Sequence, residues 1–162
     1  MANMRGAMIA LLLLAGCTMM RPRIASMPGT PHLAADSISM EISSWGYPVE
    51  GFTIASDGAG EYRVAPQFRA PLEVRRFNAG PAGFARIRAA LAGIERYTVQ
   101  APACGDRATD LPYGQIAWQS GATRAVIGLD LGCQGAEMQR VVGTANEAVR
   151  IAEQFSQTHG SR

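Results

Sequence analysis

The apolar residues of this chain keep one period over long stretches and then change it, and those changes limit the folds open to it. Ile38, Met40 and Ile42 alternate with Ser39, Glu41 and Ser43, the pattern of a strand with one buried face. Trp45, Gly46 and Pro48 break that pattern, and Phe52 and Ile54 resume it. Asp57-Gly58-Ala59-Gly60 reads as a turn, with Tyr62 and Val64 continuing beyond it, so residues 51–65 predict a hairpin. Leu72 and Val74, after Pro71, predict a fourth strand. Four strands in succession imply an antiparallel meander with one wet face.

The period then lengthens. Phe84, Ile87, Leu91 and Ile94 fall on one stripe of a helix over 81–95, with Pro81 where a first turn tolerates it. Residues 98–112 show no period. Ile116 and Trp118, the turn Ser120-Gly121, then Ala125, Ile127, Leu129 and Leu131 form the clearest hairpin pattern in the chain. Met138, Val141, Val142, Ala145, Val149, Ala152 and Phe155 define a second, longer amphipathic helix. The expected class is α+β in the order ββββ-α-ββ-α: an antiparallel sheet with both single-striped helices packed on one face. Short apolar runs leave the strand order open, and no residue-level match supports an internal repeat.

The beginning of the chain carries a different signal. Arg5, the apolar run Ala7 to Leu14, and Leu14-Ala15-Gly16-Cys17 resemble the signal peptide and lipobox of bacterial lipoproteins. A transmembrane helix needs about 20 apolar residues, and here Arg21 and Pro22 end the run sooner. An ordinary secretory signal with a chance cysteine is the competing reading. The resemblance implies cleavage before Cys17, lipidation of Cys17, and a firm membrane anchor through its acyl chains. In that family an Asp after the cysteine marks inner-membrane retention. Thr18 stands there in this chain, which implies the outer membrane, facing the periplasm. The expected organisation is a signal peptide over 1–16, a Pro-, Ser- and Gly-containing tether over 17–36, one domain over 37–155, and a polar tail over 156–162.

With Cys17 given to lipid, Cys104 and Cys133 remain in a compartment that permits disulfides. Their bridge would close a loop of about 30 residues. Metal binding is the rival, but two cysteines without a nearby Cys or His partner cannot complete a tetrahedral zinc site. Removing residues 1–16 leaves 14 Arg against 13 acids, a formal charge of +1, so no strong field draws nucleic acid. The chain has no Lys, which excludes Lys-nucleophile and Schiff-base chemistry.

Candidate chemistry is sparse. His32 lies in the tether and His159 in the tail, so a His-based hydrolase has no base inside the domain. Asp106, Asp110 and Asp130 flank the two cysteines, and a disulfide would bring Asp106 and Asp130 toward each other. Such carboxylates could share a proton or hold a divalent cation, but loop aspartates more often cap turns. The glycines at 58, 60, 80 and 83 do not form a phosphate cradle. Alternation places Phe52 and Trp118 in the core. Trp45 and Tyr47 interrupt it and are the candidate contact residues, with Tyr97 and Tyr113 flanking the cysteine loop.

These features predict a membrane-anchored envelope lipoprotein that binds an envelope protein or cell-wall component, with no catalytic residue, metal or cofactor assigned. The alternatives are a carboxylate-dependent periplasmic hydrolase using Asp106, Asp110 and Asp130, and a periplasmic enzyme inhibitor. Small disulfide-bonded inhibitors of lysozyme-like enzymes are comparable in kind, although their loop motif is missing.

Overall fold

The computed structural model describes residues 33–159; the lipobox, Cys17, most of the tether and residues 160–162 lie outside them. Each alternating segment becomes a strand. β1 (Ser37–Ser44), β2 (Tyr47–Ala55), β3 (Ala59–Val64) and β4 (Glu73–Asn78) precede helix α1 (Gly80–Leu91). β5 (Tyr113–Ser120) and β6 (Thr123–Asp130) precede helix α2 (Ala136–Thr158). All neighbours pair antiparallel in the order β4-β3-β2-β1-β5-β6, so β1 is central and the segment through α1 carries the chain across to its other side.

The register assigns the faces. Ile38 opposes Ile54 and Trp118, Met40 opposes Phe52 and Ile116, and Ile127 and Tyr62 continue the same face on β6 and β3. All of these are buried. They pack with Ile87 and Leu91 of α1 and Val141, Ala145, Ala152 and Phe155 of α2 in one core. Residues on the other face are mostly polar, as alternation requires: Ser39, Glu41, Thr53, Glu61, Arg76 and Gln115.

Four details differ from the sequence-based expectation. In β4 the buried residue is Phe77, while Val74 is half exposed; Phe77 lies opposite Gly60, whose missing Cβ leaves room for the ring. The first helix stops at Leu91 and tightens into a 3₁₀ helix, Ala92–Thr98, which still buries Ile94 and also Tyr97. The second helix continues through the expected tail to Thr158, because Ser156 is buried and its hydroxyl donates to the Glu153 carbonyl. The last residues of the expected tether are docked. Leu33 N–H donates to Glu95, Asp36 N–H donates to the Gln119 carbonyl, and the Asp36 carboxylate accepts from Gly121 N–H.

The antiparallel order sorts the connections into two ends. Asp36, the Asp57-Gly58 turn and Gly121 share one end; Gly58 holds φ +89° beside Gly80, and Asp57 accepts from Ala59 N–H. The Trp45-Gly46 turn, the Ala65–Leu72 loop and the start of β5 share the other. Eight-residue strands separate the two ends by about 26 Å.

Candidate contact surface

Trp45 and Gly46 form the two-residue connection between β1 and β2, with φ of 54° and 81°. Two successive positive φ values define the type I′ geometry that matches strand twist, and Asn-Gly is its usual sequence. A bulky side chain in the first position costs about 1–2 kcal/mol. Trp45 is nonetheless there, and 64% of it is exposed. The indole is not recruited to the core, so the hairpin carries conformational strain for a solvent-facing ring.

Its neighbours extend the surface. Tyr47 and Phe68 meet edge to face, with ring centroids 5.8 Å apart. The Arg69 guanidinium lies 4.9 Å from the Tyr47 centroid and 5.2 Å from that of Phe68. Arg69 itself holds φ +65°, a second non-glycine residue in the left-handed region. Among the described residues no carboxylate pairs with it. Tyr47 and Phe68 are 42% and 55% exposed. A cation packed against two touching aromatic rings, at the same end of the sheet as a projecting indole, can receive a flat apolar group and an anion together. Tyr113 and Leu111 are exposed at the same end, whereas Tyr97, also considered from sequence, is buried. Phe68 and Arg69 went unrecognised in the sequence. Their only signal was one aromatic in a loop bounded by Pro66 and Pro71.

The disulfide forms: Cys104 and Cys133 are bonded, with Cα atoms 4.7 Å apart. It anchors a short backbone ladder in which Gly135 N–H donates to Cys104, Gln134 N–H to Asp106 and Ala108 N–H to Gly132. The three aspartates near it are not brought together as a reactive group. Asp130 accepts from Gly132 N–H and pairs with Arg107 at 2.9 Å, Asp106 serves the ladder through its carbonyl, and Asp110 is exposed at φ +65°. Among the described residues no group of three His, Cys, Asp or Glu side chains could hold a metal ion. None of the described helices is long and apolar enough to cross a membrane.

A groove of about 760 Å³ runs over the ends of β2, β3 and β4, between Thr53, Phe77 and His159. Its charged side chains, Glu61 and Arg76, pair with each other at 3.0 Å. His159 stacks edge to face on Phe155 and accepts from Asn78 N–H through its carbonyl. These groups close the helix end against the sheet. No family model matches this chain, and no curated protein matches it either.

Proposed function

We propose that this protein is a lipid-anchored envelope module that works by contact, holding an envelope protein or cell-wall component at its Trp45 end. The anchor would be Cys17, and the segment to Leu33 would span from membrane to domain. The observation that carries the reading is the strained, exposed Trp45 at the same end of the sheet as the Tyr47–Arg69–Phe68 cluster. Left-handed strain at non-glycine residues is retained where function requires it. The surface lies at the end of the sheet away from Asp36. Of the aspartates that a hydrolase would need, Asp130 is held by Gly132 N–H and Arg107, and the three are not gathered into one group.

Trp45→Asn tests this directly. It restores the preferred turn residue, so stability rises by about 0.5–1 kcal/mol, while retention of envelope proteins and sedimentation with cell-wall material both fall. A variant that is more stable and binds both as the original does would overturn the reading.

A further inference from the structure

We infer that the free edge of β6 pairs with the same edge of a second copy of this chain, continuing the sheet across a two-fold axis. The two edges of the sheet are built differently. β4 is guarded by Pro71 just before it and by Glu73, Arg75 and Arg76 within six residues. β6 has none of these devices through Ala125-Val126-Ile127-Gly128-Leu129, an uncharged run without Pro, and its register with β5 is unbroken from Thr123 to Asp130. Among the described residues, no backbone group from Arg124 to Leu129 bonds to anything beyond β5.

The direction of the free groups follows from one bond. Leu131 N–H donates to the Pro112 carbonyl, directly opposite it in the β5–β6 register. Bonded pairs alternate along an antiparallel ladder, so 123, 125, 127 and 129 face β5. Arg124, Val126 and Gly128 therefore point their N–H and C=O groups outward.

A two-fold axis perpendicular to the sheet keeps each face on its own side, so outward-bonding residues must meet outward-bonding residues. Centring that axis on Ile127 places Arg124 opposite Asp130 of the second copy and Val126 opposite its Gly128. All four residues lie on the polar face. At both ends of the ladder Arg124 then meets the Asp130 carboxylate, which Arg107 of the same copy also pairs at 2.9 Å, and Val126 covers a glycine whose Cβ position has nothing within 4 Å. Moving the axis by one residue would set Arg124 against Gly128 and lose both charge pairs. The free groups from Arg124 to Gly128 and the Val126–Gly128 fit are self-complementary, while at the far end the Asp130 carbonyl also accepts from Cys133 N–H; the partner this edge fits is itself.

Sedimentation of the full chain in mild detergent, combined with hydrogen exchange, tests this inference. The chain should dimerise with rising concentration, and the amides of Arg124, Val126 and Gly128 should slow as it does. The amides of Ala125, Ile127 and Leu129 should be slow already. Arg124→Glu should weaken dimerisation about tenfold or more, because it sets like charges opposite each other. Val126→Pro should give a monomer that melts where the dilute, monomeric parent melts, since the lost N–H faces outward. A chain that stays monomeric at high concentration, or a dimer that survives Val126→Pro, would overturn the inference.

Discussion

Replacing Cys104 and Cys133 together by Ala should destabilise the domain without altering its fold. The backbone ladder from Cys104–Ala108 to Gly132–Gly135 holds both segments in register whether or not the sulfurs are bonded. Ala retains each Cβ, so the buried Cys133 site loses only its sulfur. The main effect therefore falls on the unfolded chain. Releasing a closed loop of about 30 residues restores conformational entropy equivalent to about 3.6 kcal/mol at 25 °C. Spread over a folded region spanning residues 33–159, that corresponds to a fall in melting temperature of about 13 °C. Urea unfolding followed by circular dichroism reads both the loss and its origin. The midpoint should fall while the denaturant slope rises, because the unlinked unfolded chain exposes more surface. A loss below about 1 kcal/mol, or an unchanged slope, would refute an origin in the unfolded state.

Leu91→Ala should cost about 2–5 kcal/mol, since Leu91 is fully buried between α1 and the sheet. Val141→Ala should cost more than Val142→Ala, because Val141 is fully buried and Val142 only packs against the edge of the core; chemical denaturation of all three variants checks the order. The Tyr62 phenol is held well above its ordinary range by burial, by its hydrogen bond to Glu50 and by the Glu50 charge. In the unfolded chain it ionises near pH 10, so folded stability should fall as pH rises past about 10, and Tyr62→Phe should flatten that fall in melting curves. Cys17→Ser should abolish both fatty-acid labelling and membrane fractionation of the protein; a labelled, membrane-bound variant would remove the anchor from the account.

Strand and helix type were legible wherever one face of an element is buried, because burial of one face is what writes a period into a sequence. β1 and β6 carry that alternation cleanly, β5 carries it with Ala117 buried as well between Ile116 and Trp118, and both helices carry their stripes. β4 was legible only as a strand. It is an edge element with a single buried side chain, so Val74 looked like core and Phe77 did not. Strand order was not legible, because Ile38 would be equally buried beside many partners and only the assembled register selects Ile54 and Trp118. Trp45 and Tyr47 drew attention by interrupting an alternation. Phe68 and Arg69 interrupt nothing; they join Tyr47 only because β3 ends beside the start of β2. The two cysteines announced their bridge by having no other partner in the domain, and Asp130 caps its turn through Gly132 N–H as loop aspartates usually do, whereas the ladder contact of the Asp106 carbonyl is one that no sequence pattern displays.

The contact reading is tested most directly by placing a photo-crosslinking residue in intact cells at position 45 and, separately, at position 122 in the opposite turn. Position 45 should give a discrete adduct with an envelope protein or cell-wall component, and position 122 none. Adducts of equal yield from both positions, or none from position 45 in a protein that is folded and anchored, would contradict the contact reading.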